Sequence, residues 1–119
     1  MTERTFADLA ARYATHPEML GVVIDGPNVI GTGRDGLLHL AARMGQEADV
    51  RDLVRLGATL DLPGDRGFTA LHYAAAAGHA AVADVLLELG ANLDAKNEWE
   101  QTALEVAMLA GHAALLERL

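Results

Sequence analysis

Residues 67–79 read Gly67-Phe68-Thr69-Ala70-Leu71-His72-Tyr73-Ala74-Ala75-Ala76-Ala77-Gly78-His79, and this stretch decides the fold. A step of 33 residues in either direction finds the same residue types again. Forward, the step leads to Thr102, Ala103, Leu104, Ala107, Gly111 and His112. Backward, it leads to Leu38, His39, Ala41, Ala42 and Gly45. Matches at one fixed step without gaps indicate an internal repeat.

One repeat unit predicts two helices and a connector. Thr69 is placed to cap a short alanine-rich helix over 71–76, and Gly78 ends that helix because a left-handed backbone suits glycine. A second helix is predicted over 79–88, with its apolar residues on one face at helical spacing. Gly90 ends it, and residues 91–97 form a turn-rich connector to the next unit. A single unit cannot bury its apolar face, so neighbouring units must stack.

These residues resemble the ankyrin repeat family. The family pattern of Thr-Pro-Leu-His, then alanines and Gly-His, appears as Thr69-Ala70-Leu71-His72 with Gly78-His79. It returns more weakly as Thr102-Ala103-Leu104-Glu105 with Gly111-His112, and as Gly36-Leu37-Leu38-His39 with Gly45-Gln46. The resemblance implies an all-α solenoid of stacked helix–turn–helix units with protruding β-turn or hairpin loops. It also implies that His39 and His72 are structural and bond to backbone near the turns.

The chain departs from the family pattern in each copy. Alanine or leucine replaces the family proline throughout, Gly36 replaces the capping threonine of the first unit, and Glu105 replaces the histidine of the last. The predicted organisation is one domain over 1–119. It comprises a degenerate N-terminal cap (1–30), two repeats (31–63 and 64–96) and a truncated third repeat (97–119).

The two ends of the array carry their own predictions. The cap is expected to have an inner helix over 5–14 that Thr5 caps, and an outer helix over 17–24 with Pro17 in its first turn. The last unit is expected to stop inside its second helix. Leu115 and Leu119 would then be apolar without a later repeat to cover them, which predicts weak self-association or a second binding edge there. A structural or oligomerising module that joins copies through this helix is therefore an alternative function.

A different interpretation of residues 21–30 remains open. Gly21-Val22-Val23-Ile24-Asp25-Gly26-Pro27-Asn28-Val29-Ile30 resembles the first strand of PIN/NYN-type nucleases, in which an aspartate, here Asp25, binds a divalent metal. Such a site needs further carboxylates at the ends of other parallel strands, and no alternating strand–helix pattern follows. The alternative prediction is an outer helix that ends at Asp25.

Composition excludes several classes of chemistry. The 119 residues include no cysteine, which excludes disulfides, thiolate metal sites and a cysteine nucleophile. They also include no serine, which excludes a serine nucleophile. Nine basic against 17 acidic residues give a net charge of −8, which repels nucleic acid and anionic membranes and attracts a basic protein partner. No cofactor or metal is predicted.

The expected location is the cytoplasm. No run of apolar residues is long enough to span a bilayer, and Met1–Thr5 lacks the start of a secretory leader. The alanine-, leucine- and arginine-rich, lysine-poor composition is typical of a GC-rich bacterial genome.

Function is therefore expected at the surface, as non-catalytic binding of a protein. The resemblance implies a concave face built from connector tips and the exposed side of the first helices. The residues predicted to bind a partner are Arg43, Met44, Asp65, Arg66, Phe68, Tyr73, Glu98, Trp99 and Gln101. The same face is expected to include Thr32, Gly33, Asp35, Leu40, Ala76, Ala77, Val106, Leu109 and Ala110. Phe68 and Trp99 could instead pack on each other and only stiffen the array.

Overall fold

Residues 4–119, which the computed structural model describes, form six α-helices and three 3₁₀ turns. The helices are α1 (Phe6–Tyr13), α2 (Leu37–Arg43), α3 (Glu47–Arg55), α4 (Ala70–Ala77), α5 (Ala80–Glu88) and α6 (Ala103–Ala110). The 3₁₀ turns are Pro17–Met19, Asp65–Gly67 and Ala113–Leu115. Within this range no β-strand forms, and no helix is long and apolar enough to cross a membrane. The leader prediction rests partly on residues 1–3, which lie outside the described range.

The middle unit, α4 and α5, follows the predicted local chemistry. Thr69 caps α4 by accepting a hydrogen bond from the His72 N–H, and Gly78 ends it with φ 77°. The His79 N–H then donates to the Ala74 carbonyl at 2.9 Å, which closes the turn into α5. Thr69 and Gly78 therefore act as the sequence predicts, and α4 extends one residue beyond the predicted range at each end.

The units stack in two rows of helices. The first helices α2, α4 and α6 lie side by side with α4 in the middle, and α3 packs on α5 in the second row. Alanines are fully buried where the first helices meet, and their small side chains let the helices approach closely: Ala41, Ala42, Ala74, Ala75 and Ala107. Translation by 33 residues predicts equivalent buried positions for Leu38, Leu71 and Leu104, and Leu38 and Leu71 are buried. Leu104 is only half-buried, since no helix within residues 4–119 packs on the far side of α6.

Buried histidines connect each first helix to the next connector. His72 accepts a hydrogen bond from the Thr69 N–H through Nδ1 (3.1 Å) and donates to the Gln101 carbonyl through Nε2 (2.8 Å). His39 repeats this arrangement 33 residues earlier, with the Leu62 carbonyl at 2.6 Å from its Nε2. The structural role expected for His39 and His72 is confirmed.

The Gly-His pairs form a second joint between units. Nε2 of His112 lies 3.1 Å from the Ala76 carbonyl oxygen, in the preceding unit. A Cβ on Gly78 would stand only 2.8 Å from the same imidazole, so the glycine leaves room for the ring. Gly45 and His79 repeat the arrangement, and Nε2 of His79 lies 3.0 Å from the Arg43 carbonyl oxygen. These histidines are therefore architectural.

The neutral state of His39 and His72 predicts that stability falls in mild acid. Burial lowers the pKa of both rings, although the carbonyls that they face act in the opposite direction. Since the unfolded chain binds protons first, stability is fully present above the ordinary histidine pKa of about 6.5 and is lost as the pH falls below it. The limiting slope is about 1.4 kcal/mol per pH unit for each ring. Urea unfolding at about pH 7.5 and pH 5.5 measures it, and a constant free energy of unfolding would contradict it.

The N-terminal cap begins as predicted and then departs from the prediction. Thr5 caps α1, since its Oγ1 accepts from the Asp8 N–H while the Asp8 carboxylate accepts from the Thr5 N–H. The outer helix predicted over 17–24 is wrong, because only Pro17–Met19 forms a turn and residues 22–25 have no helical structure. The β-branched run Val22-Val23-Ile24 disfavours a helix, and Gly21 directly before it has a left-handed backbone with φ 78°.

One buried carboxylate fastens this cap to α3. Asp49 is 1% exposed and accepts a hydrogen bond from the Tyr13 hydroxyl at 2.7 Å. It also pairs with Arg4 and with Arg12, at 2.5 Å and 2.9 Å. The cap therefore depends on a polar contact that the repeat motif does not predict.

The C-terminal end also differs from the prediction. The expected second helix of the last unit is only a 3₁₀ turn at Ala113–Leu115, and Leu115 is 1% exposed. The predicted apolar stripe of Leu115 and Leu119 is therefore wrong, since Leu115 turns inward and Leu119 is half-buried. The large apolar side chains that are exposed here are Met108, Leu109 and Leu116.

Candidate functional site

Three connector tips, which we call the fingers, protrude ahead of α2, α4 and α6 over residues 31–35, 64–68 and 97–101. A backbone hydrogen bond from the first N–H to the last carbonyl closes each finger, as from the Gly64 N–H to the Phe68 carbonyl at 2.8 Å. The same position in each finger has a left-handed backbone, occupied by Arg34, Gly67 and Glu100. The 33-residue step therefore repeats the turn geometry as well as the helices.

Hydrogen bonds join neighbouring fingers into one row. The Asp65 N–H donates to the Asp35 carboxylate at 2.9 Å, and the Glu98 N–H donates to the Arg66 carbonyl at 3.0 Å. Asn97, which is 4% exposed, accepts through Oδ1 from the N–H groups of Trp99 and Gln101. The Asn97 side chain and the neighbouring finger thus hold the backbone that carries Trp99, so this backbone is already ordered before a partner binds.

Aromatic rings run along this row. Phe68 lies between Tyr73 and Trp99, with ring centroids 5.2 Å and 6.5 Å away. The Trp99 ring stands perpendicular to Phe68 and remains 56% exposed, while Phe68 and Tyr73 are half-buried. Phe68 and Trp99 therefore pack on each other, and all three aromatic side chains lie on one surface.

Arg43, on α2, lies over the inner end of the aromatic row. Its guanidinium carbon is 5.5 Å from the centre of the Tyr73 ring, within the range of a cation–π contact. Carboxylates stand on either side, with Glu18 at 2.7 Å and Asp35 at 3.6 Å. Burial, and then the hydrogen bond from its hydroxyl to Asp35, raises the pKa of Tyr73, so the hydroxyl stays protonated.

A shallow cavity of about 180 Å³ opens between these side chains and the tip of the second finger. Its lining residues are Arg43, Asp65, Arg66, Phe68 and Tyr73, all of them in the predicted binding set. Trp99 borders the row beyond Phe68, and Glu98 beside it is exposed. These five residues, with Trp99 and Glu98 beyond them, therefore lie at one place, with both signs of charge around an aromatic centre.

Other predicted residues lie elsewhere or have structural partners. Met44 is 44% exposed but is not part of the cavity lining. Gln101 is tied up by the fold, since its backbone carbonyl accepts from His72 and its side chain accepts from Asn97. Among the residues mapped more widely to the face, three are buried and give a partner no access: Asp35, Leu40 and Val106.

The segment around Asp25 has none of the structure that a nuclease site needs. The strand of the nuclease alternative does not form over 21–30, since Val22–Asp25 pairs with no other segment of the described range and Ile30 makes one isolated bridge. Asp25 is exposed and does not end a helix, so the prediction of an outer helix ending at Asp25 is also wrong. Among residues 4–119, no group of three or more histidine and carboxylate side chains is arranged to hold a metal ion.

Sequence reasoning missed the side chains that support the site. Glu18 reaches Arg43 from the cap, and no short-range pattern links residues so far apart in the chain. Asn97 could have been noticed, because an asparagine at the start of a finger commonly bonds to the backbone two residues ahead. Glu18 holds the Arg43 side chain in place, and Asn97 holds the backbone of Trp99.

The comparison with family models decides the family. A model described as "Ankyrin repeats (3 copies)" matches residues 7–97 and, again, residues 38–119. The chain belongs to the ankyrin repeat family. A search of curated proteins gives no match. Ankyrin repeats are generally modules for protein–protein interaction and are typically non-catalytic.

Proposed function

We propose that this ankyrin array is a non-catalytic binding module that holds a protein partner against the finger surface, defined as Arg43, Asp65, Arg66, Phe68, Tyr73 and Trp99. The observation that carries the proposal is Trp99, a large aromatic side chain 56% exposed on a backbone fixed by hydrogen bonds. Exposed aromatic residues on a rigid support are typical of interface anchors.

Charge supports a partner with a basic surface. Asp65, Glu98 and Glu100 flank the aromatic rings, and the whole chain carries a net charge of −8. A charged rim around an apolar centre matches the usual anatomy of a protein interface, with charges steering the encounter and central anchors slowing dissociation. Arg43 in this rim is already paired with Glu18 and Asp35, so the carboxylates at the Trp99 end are the charges left to meet a basic partner. The same charge disfavours nucleic acid and anionic membranes. A cytoplasmic location is part of the proposal, since a chain without cysteine needs no oxidising compartment.

Trp99→Ala is the variant that tests the proposal. It should weaken binding by about 2 kcal/mol, or roughly 30-fold in Kd, because the anchor loses its contact area. Folding should change little, since most of the ring is exposed. The measurement is affinity capture from a cell extract with the wild type, followed by calorimetry of each captured protein with both forms.

A matched control keeps that result specific. Leu93 is another exposed apolar residue, 42% exposed on the connector after α5, and it lies outside the finger surface. Leu93→Ala should therefore leave affinity unchanged. Equal affinity of wild type and Trp99→Ala for every captured partner would place the contact elsewhere. Self-association through Leu115 is not part of the proposal, since that side chain is buried.

A further inference from the structure

Trp99 is the open end of the aromatic row, and its two neighbours in the chain are glutamates without a strong partner. Glu98 and Glu100 precede and follow it in the chain, and both are exposed. Glu100 faces Lys96 at 3.9 Å, the far limit of an ion pair, with the two side chains 81% and 55% exposed. Glu98 makes no ion pair with any residue of the described range 4–119. This end of the row therefore offers an aromatic surface and negative charge to a ligand.

The other end of the same row shows what such a place can hold. There the guanidinium of Arg43 lies 5.5 Å from the Tyr73 ring centre, with the Glu18 carboxylate 2.7 Å away. The protein thus already binds one guanidinium by combining a ring with a flanking carboxylate. Around Trp99 the ring and the carboxylates are present, but no cation of the described chain lies over the indole.

We propose that the partner contacts this surface with an arginine, whose guanidinium stacks on the exposed indole of Trp99 and pairs with Glu98. This inference rests on the proposed function and names the chemistry of the partner segment. A guanidinium suits the place better than an ammonium because it is planar, weakly hydrated and able to stack and donate hydrogen bonds at once. A phosphate or an acidic segment is disfavoured by the flanking carboxylates and the net charge of −8.

Three synthetic peptides serve as probes for the full chain. They alternate glycine with arginine, with lysine or with citrulline, so the first two have equal charge and the third is neutral with nearly the shape of the first. Trp99 is the only tryptophan of the chain, so its fluorescence reports contact at this residue directly. Labelled peptides give the affinity by anisotropy, which also works for variants that lack the indole.

The arginine peptide should bind about three-fold or more tighter than the lysine peptide, and it should change Trp99 fluorescence. The citrulline peptide should bind weakest. Trp99→Leu should abolish the preference for arginine while leaving a weaker charge-driven binding. Glu98→Gln should reduce arginine binding more than Glu88→Gln, which removes the same charge from the exposed end of α5.

Several results would overturn the inference: equal affinity for arginine and lysine peptides, a preference that survives in Trp99→Leu, or equal effects of the two glutamate changes. A captured protein that depends on Trp99 while the peptides show no arginine preference would contradict the arginine contact and leave the proposed function standing. Loss of the proposed function looks different, since captured proteins would then bind Trp99→Ala as tightly as the wild type.

Discussion

Leu71→Ala should lower the free energy of unfolding by about 2–5 kcal/mol, the largest stability loss that we expect from one core substitution. Leu71 is 2% exposed on α4, which has a first helix on each side. Removing its branched end opens a cavity between units that cannot collapse without moving both neighbours. Urea unfolding of the variant and the wild type measures the loss.

Leu104→Ala is the matched comparison, because Leu104 occupies the same position one repeat later but is only half-buried. Its loss should be clearly smaller than that of Leu71→Ala, since solvent already reaches part of the side chain. A loss below about 1 kcal/mol for Leu71→Ala, or equal losses for the two variants, would contradict the stacking register.

Asp49→Ala should lower the free energy of unfolding by about 2–4 kcal/mol. The substitution removes the acceptor for the buried Tyr13 hydroxyl and the carboxylate that pairs with Arg4 and Arg12. Both arginines keep partial access to water, which limits the loss, but the hydroxyl is left without its acceptor. Thermal and urea unfolding of the variant check the value.

Glu88→Ala provides the control for Asp49. Glu88 pairs with Arg51 at 2.8 Å, but both side chains are half exposed or more, and such pairs contribute less than about 1 kcal/mol. If Asp49→Ala destabilised the protein no more than Glu88→Ala does, the cap would not depend on the buried carboxylate. The contrast therefore separates burial from ion pairing as the source of stability.

The 33-residue period carries most of the fold that could be predicted. Threonine before a helix and glycine after it are local signals, so Thr69 and Gly78 give the ends of α4 within one residue. Residues 17–24 lack such signals, and β-branching there outweighed an apolar pattern that fits a helix. The predicted exposure of Leu115 is wrong for another reason. The last segment forms a turn and not the helix that translation of the repeat requires.

The candidate site was predictable where it follows the repeat and unpredictable where it depends on distant contacts. Placing Phe68, Tyr73 and Trp99 on one surface needed only the fixed step between fingers. The sequence does not predict the burial of Asp35, because this burial depends on a residue of the next unit. The Tyr73 hydroxyl donates to the Asp35 carboxylate at 2.8 Å. Contacts of this kind arise from packing, which no short motif records.

Photo-crosslinking from the finger surface tests the central claim most directly. A photoreactive residue is introduced in place of Arg66, at the tip of the second finger, and in a second variant in place of Arg51, on α3 in the other row of helices. Both positions are exposed and both changes remove one positive charge, so the variants are matched. Binding at the finger surface predicts a covalent adduct with a partner protein from position 66 and none from position 51. An adduct from position 51 alone would contradict it.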